Sequence, residues 1–220
     1  MSTDPASEAD PSLTSGGGPL LALVARGLEF WLRQQCDAIE HLDIRMEGSA
    51  ARLLRGRLEG VHLVARGVVY QQLEFEAVEL RSEAIRLRMG PLLRRQTVEL
   101  ENPFRIQGEV TFTSDGLSRS LASPAWHSFG DDLAEELLGL APLSAVRITG
   151  DHLVFSTSPP GAEVPLERAA RLAAAEAGLV LHPLDDGPTV TLPIDPDIRI
   201  EQAVVGGGLL QLQGKAKVIP

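Results

Sequence analysis

The sequence predicts an α+β protein: an antiparallel, meandering β-sheet with an amphipathic helix at its N-terminal end and a second helix in mid-chain. Three observations carry that reading. Short stretches alternating apolar and polar side chains recur from Leu42 to Val218, and a period of two is that of a half-buried strand. Only two regions carry helical periodicity, Pro19 to Leu42 and the run after Ser114. The strands come in series rather than alternating with helices, which indicates antiparallel pairing.

Residues 1–18 are acidic and rich in Ser, Gly and Pro, the composition of a disordered tail. They lack the basic start of a secretory signal. The domain proper is then 19–220. Its first element is a helix, with Pro19 suited to the first turn. Leu20, Leu21, Val24, Gly27, Leu28, Trp31, Leu32, Ala38, Ile39 and Leu42 share an arc of roughly 140°. Arg26, Glu29, Arg33, Asp37 and Glu40 lie opposite.

Strand follows. Leu42, Ile44 and Met46 alternate with Asp43, Arg45 and Glu47, and a region punctuated by Gly48, Gly56, Gly60 and Gly67 comes next. Leu73, Phe75 and Ala77 alternate with Glu74 and Glu76, after which Val78 and Leu80 take over the apolar side. Such a phase slip predicts a β-bulge at Ala77–Val78. Ile85, Leu87 and Met89 form the next strand, broken by Gly90-Pro91. Phe104, Ile106, Val110 and Phe112 oppose Arg105, Gln107, Glu109 and Thr111.

Ser114-Asp115-Gly116 opens the second helical region, which restarts at Ser123-Pro124 as an N-cap followed by Pro. Trp126, Phe129, Leu133 and Leu137 share one face as core, and Gly139 can end the helix in a left-handed turn. Val146–Ile148 and Leu153–Phe155 flank a Gly150-Asp151 hairpin. Residues 166–177, rich in Ala, Glu and Arg, favour helix by propensity. Alternating strands return at 179–181, 190–194, 198–200 and 210–218. The count is eight to ten strands and two helices. A sheet that long must curl, close or fold onto itself, and two helices cannot cover its whole apolar face.

Hydrophobic residues make up 44% of the 220, but aromatics only 4%, so the interior is aliphatic. Net charge is −10, which argues against bulk attraction to nucleic acid. The charge is uneven: residues 1–41 carry −4, 42–96 carry +3 and 97–220 carry −9. Cys36 is the single cysteine, so no internal disulfide or thiolate metal cluster forms. The longest apolar run near the N-terminus is too short to span a bilayer, and the default location is cytoplasmic or peripheral to the cytoplasmic face of a membrane.

No set of residues points to catalysis, a metal or a cofactor. The five histidines stand alone in sequence, none at metal-ligand spacing. Asp131-Asp132 and Glu135-Glu136 read as a solvated helix face. There is no G-x-S-x-G and no P-loop, and Gly206-Gly207-Gly208 precedes a strand rather than a phosphate-binding helix N-terminus.

One resemblance emerges. The carriers are the Leu28-to-Ile39 helix with Ile44-Arg45-Met46-Glu47-Gly48, the Phe75-to-Met89 meander, and Ile106-Gln107-Gly108-Glu109-Val110 running into Thr113-Ser114-Asp115-Gly116-Leu117. Ile198-Arg199-Ile200-Glu201 and Leu210-Gln211-Leu212-Gln213-Gly214 complete them. Over roughly 20–219 the chain resembles the LmeA family of bacterial phospholipid-binding proteins. The resemblance implies an elongated, strongly curled, tubular sheet with helices against it, and a phospholipid as partner. It also implies strand at 166–177, with Leu166, Ala170 and Leu172 alternating, and strand is the expectation. Some members are exported, and no export signal is found here.

The leading expectation is a non-enzymatic phospholipid-binding protein, serving lipid transfer or membrane homeostasis. It holds acyl chains in an aliphatic groove lined by Leu28, Trp31, Leu32, Phe75, Leu87, Phe104, Ile106 and Phe112. At Pro91-Leu92-Leu93-Arg94-Arg95, either Leu92 and Leu93 enter a membrane interface while Arg94 and Arg95 hold headgroup phosphates, or the leucines cap the end of the core and the arginines are solvated. The alternative is a structural or interaction module with a self-filled core and no ligand.

Overall fold

The computed structural model describes residues 19–88, 101–158, 161, 163–176 and 178–219. The tail at 1–18 and the 91–95 turn lie outside them. The described residues form thirteen strands and four helices, more of both than the periodicities suggest.

Helix α1 (Pro19–Gln35) leads into β1 (Ala38–Glu47), so the helix ends at Gln35 rather than Leu42. Ala38, Ile39 and Leu42 are strand because a partner is waiting. Ile39 pairs with Val68 and Leu42 with Ala65, and the Asp37 amide donates to Val69 O at 2.8 Å. Short α2 (Ala50–Leu53) is capped by the Ser49 hydroxyl, which accepts from the Arg52 amide. Strand β2 (Arg57–Leu58) pairs with β5 (Ile85–Arg86). The intervening β3 (Gly60–Tyr70) and β4 (Leu73–Ser82) form a long hairpin.

That hairpin turns through Gln71 and Gln72 at φ 49° and 64°, a left-handed pair that glycine or asparagine normally fills. The tip is held from outside. Trp126 Nε1 donates to Gln71 O at 2.8 Å, and the Gln72 amide donates to Asp37 Oδ2 at 2.9 Å.

No bulge occurs in β4. Ala77 pairs with Arg66 and Thr111, and Val78 with Ala65 and Val110, in unbroken register. The apolar side changes because only one end of the strand meets a core. Leu73 and Phe75 pack into the larger core, with the Phe75 and Phe112 rings 5.0 Å apart, while Val78 and Leu80 take the other side of the strand.

After β6 (Phe104–Thr113) come α3 (Ser114–Ala122) and α4 (His127–Leu138). Thr113 caps α3 through Oγ1, which accepts from the Gly116 amide at 3.1 Å. Helix α4 starts at His127, later than expected. The Ser123 hydroxyl donates back to Ser120 O at 2.6 Å instead of capping the new helix. Gly139, at φ 73°, ends α4 as predicted, and the Arg168 guanidinium donates to the Leu137 carbonyl at that terminus.

The remaining strands are β7 (Ala145–Thr149), β8 (His152–Thr157), β9 (Leu166–Ala175), β10 (Gly178–Pro183), β11 (Val190–Leu192), β12 (Ile198–Gly206) and β13 (Leu209–Val218). Residues 166–175 are strand, as expected. Strand β9 lies between β8 and β10, and pairing on both sides overrides the helical propensity of its alanines. The expected long sheet is divided: one sheet runs β1-β3-β4-β6-β13-β12, another β11-β10-β9-β8-β7, and β2-β5 is a two-stranded ribbon. All pairings are antiparallel.

Two buried clusters result. The larger joins one face of the five-stranded sheet (Val146, Leu153, Phe155, Leu172, Leu181) to α4 (Leu133, Leu137) and to Phe112 and Leu210 of the six-stranded sheet. The smaller gathers Leu21, Leu53, Leu58, Ile85 and Leu87, with Val24, Met46, Val61 and Phe104 against them.

Helix α3 bridges the two large sheets through serines. Ser118 Oγ donates to Val146 O at 3.0 Å and accepts from Val146 N at 2.9 Å, and Ser114 Oγ accepts from Ile148 N at 2.9 Å. These bonds satisfy the outer edge of β7, the kind of free edge that otherwise invites pairing with another chain. Ser120 Oγ accepts from the Glu74 amide of β4 at 2.8 Å. Beside it, Arg119 grips Glu74 through both carboxylate oxygens and holds that carboxyl below its ordinary range. Val146 is only 1% exposed, so Ser118→Ala leaves buried backbone groups without their partner. The expected loss is about 1–3 kcal/mol, measured by urea unfolding against exposed Ser128→Ala, which should change little.

Candidate functional site

Residues directly opposite one another in a ladder project from the same face, so the pairings of the six-stranded sheet assign its faces row by row. One row crosses all six strands as Ile44, Leu63, Leu80, Gly108, Gly214 and Ile200. The next row on that face is Leu42, Ala65, Val78, Val110, Leu212 and Ala203. On the other side of the glycine row, Ser82, Ile106, Ala216 and Ile198 continue the face. Thirteen of the sixteen residues in these rows are apolar and larger than glycine, two are glycine and one is polar.

The opposite face is charged. Arg45, His62, Arg81, Gln107, Lys215 and Arg199 form one complete row. Asp43, Val64, Glu79, Glu109 and Gln213 form the row beside it. The rows neutralise each other. Arg45 meets Asp43 at 3.0 Å, and Glu79 meets Arg81 at 3.0 Å and His62 at 2.8 Å. Hydrogen bonds from His62 and then Arg81 hold the Glu79 carboxyl below its ordinary range. These exposed pairs form a solvated surface and contribute little to stability.

The apolar face is closed at two ends and left over in between. Met46, Val61 and Phe104 belong to the smaller cluster, and Phe112, Val110 and Leu212 to the larger. Leu42, Ile44, Leu63, Val78, Leu80 and Ile106 belong to neither and keep partial exposure. Helix α1 packs along the β1 side of this strip. Its Leu21 and Val24 dock in the smaller cluster, and Leu28 and Leu32, half-buried, continue the same stripe of the helix. Toward the β12 side lies a cavity of about 450 Å³ lined by Ala175, Gly178, Ile194, Pro196, Ile198 and Ile200, with Glu176, Asp195 and Arg199 at it. A smaller one of about 120 Å³ includes Ile106, Arg81, Arg105 and Lys215.

The eight residues expected to line one groove are distributed over these regions. Phe75 and Phe112 sit in the larger core, and Leu87 and Phe104 in the smaller. Ile106 lies on the strip between them, with Leu28 and Leu32 on α1. Trp31, placed by the helical wheel among the inward residues, is 54% exposed. The wheel treats a helix as having one apolar side, whereas α1 has two. Leu21, Val24, Leu28 and Leu32 are turned toward the sheet, and Leu23, Phe30 and Trp31 toward solvent. Sequence reading missed Leu63, Val78 and Leu80 as groove candidates, because their joining into one strip depends on strand register. It also passed over the larger cavity.

Among the described residues no cluster of three or more His, Cys, Asp or Glu side chains is placed to hold a metal. No helix among them is long and apolar enough to cross a membrane.

The fold and this face define a β-rich protein whose main sheet offers an apolar strip between two separate cores. The chain belongs to the LmeA-like phospholipid-binding family, whose model matches residues 16–215. That family is one of lipid binders, not of enzymes. Neither the curated proteins nor the solved structures contain a significant match.

Proposed function

We propose that the chain, as one lipid-binding unit over 19–220, holds a phospholipid without acting on it chemically, with acyl chain laid along the strip between Leu42 and Ile106. The observation that carries this reading is the set of six half-buried aliphatic residues on one face of one sheet, outside either core. Each methylene removed from water there contributes about 0.8 kcal/mol. The row through Gly108 and Gly214 lacks side chains at its middle, and the register shifts at Ile200/Gln202 of β12. Both features favour curling of the sheet around a bound chain. Leu28 and Leu32 would cover the lipid from above, and the 450 Å³ cavity at Ile198 and Ile200 extends the path at its far end. Transfer of lipid between membranes is the role that suits a site open along its length.

The test is native mass spectrometry of the purified protein together with a Leu63→Asn/Leu80→Asn variant. Wild type should carry phospholipid mass, and the variant, whose new amides sit on the strip, should carry several-fold less. Wild type free of lipid across preparations, and unable to take up added phospholipid, would favour the alternative of an interaction module. That second reading draws support from the four expected groove residues that are instead packed into the two cores.

A further inference from the structure

We propose that the outward stripe of α1 is a membrane-docking edge, lying in the interface of a phospholipid bilayer and delivering lipid to the strip beneath the same helix. The proposal rests on the lipid-binding reading above and assigns the surface through which the lipid arrives. Leu23 is 67% exposed, Phe30 65% and Trp31 54%, against 3% for Leu21 on the docked side. Single exposed apolar residues are ordinary on protein surfaces, but a contiguous group of large ones marks an interaction site. Leu23, Gly27, Phe30 and Gln34 recur at spacings of four, three and four, which makes them one helical stripe, with Trp31 along its border.

The chemistry of the stripe fits a lipid surface. Leu, Phe and Trp are the side chains an interfacial helix buries at the boundary of headgroups and acyl chains. Arg26 and Arg33 lie four and three residues from Phe30, flanking it along the helix. Arg33 is engaged with Glu29 and Ile39 O. Arg26 makes no ion pair among the described residues, and its guanidinium matches a phosphate with two parallel hydrogen bonds. Seventeen residues give a helix about 26 Å long, which is not long and apolar enough to cross a bilayer, and in this proposal it lies flat in the interface. On its other side Leu28 and Leu32 continue the stripe that docks at Met46 and Val61. One helix therefore borders both the bilayer and the strip, and a lipid leaving the membrane passes around it without crossing charged surface.

The experiment is co-sedimentation of the full chain with sucrose-loaded vesicles of phosphatidylcholine and phosphatidylglycerol. It is run beside uptake of a monomeric short-chain phosphatidylcholine below its micelle concentration. The Leu23→Asn/Phe30→Asn variant should lose tenfold or more in vesicle binding. It should keep its thermal midpoint and its uptake of monomeric lipid, since neither side chain is buried or on the strip. Equal vesicle binding by variant and wild type overturns the proposal. So does wild type that takes up monomeric lipid but ignores vesicles, which leaves the strip intact and removes only the docking edge. Sedimentation equilibrium showing a wild-type dimer that the variant abolishes overturns it in favour of a second copy of this chain. Wild type that neither binds vesicles nor takes up monomeric lipid removes the lipid reading itself and this inference with it.

Discussion

Gly214→Val is expected to destabilise the fold severely. Gly214 stands one place from the β12 end of the row that crosses all six strands, paired with Gly108 on β6 and Ile200 on β12. A Cβ at Gly214 would overlap the Arg199 carbonyl oxygen and lie 3.1 Å from Ile200 Cα. Both are backbone atoms of a paired strand, so no side chain can rotate away to make room. Overpacking of this kind costs about 3 kcal/mol or more. That is a large part of the roughly 5–15 kcal/mol by which a domain is stable. Gly108 is under the same constraint, since a Cβ there would be 2.5 Å from Glu79 O. Thermal unfolding provides the measurement. Gly214→Val should be insoluble or melt about 10 °C lower, and a midpoint within a degree or two of wild type would show that β12 can move aside.

Leu181→Ala should have a comparable effect for the opposite reason, by removing volume instead of adding it. Leu181 is fully buried, on a strand flanked by Leu172 of β9 and Val190 of β11. The larger core around it joins strands of both sheets to α4, so the walls of a new void are held by separate elements and cannot readily close in. Leu→Ala at such sites costs about 2–5 kcal/mol, equivalent to roughly 5–15 °C in a chain of this size. Leu166→Ala, at a position 43% exposed on the adjacent strand, should shift the midpoint by a degree or so. Equal effects of the two substitutions would contradict the placement of the core.

What sequence could show here was local. The alternation of Leu42, Ile44 and Met46, of Phe104 to Phe112 and of Leu210 to Val218 assigned the correct faces, because a strand's period depends only on its own residues. The Gly139 terminus and the Gly150-Asp151 hairpin were legible for the same reason. The misreadings came where an external partner decided. Ala38–Leu42 fits a helical wheel but pairs with β3. Ala77–Val78 looks like a bulge because one end of a regular strand packs into the larger core and the other end lies on the strip outside both. Ser123 looks like a cap, but its hydroxyl turns back to Ser120 O. The site followed this pattern. Ile106, Leu28 and Leu32 were identified by their own periodicity, whereas Leu63, Val78 and Leu80 are neighbours only through register. Trp31 was misassigned because α1 is apolar on two sides, and a one-sided wheel merges them.

The serines of α3 set a distance as well as satisfying an edge. Ser114 and Ser118 are four residues apart on a helix, a rise of about 6 Å. Their partners Ile148 and Val146 are two residues apart on a strand, about 6.6–6.8 Å. The two repeats nearly coincide, so the helix meshes with the strand as a pinion meshes with a rack. A slip of one residue along β7 would strand both hydroxyls between amides. Since Ser120 is bonded at the same time to β4, one sheet is indexed against the other in discrete steps by a gear of three hydroxyl groups.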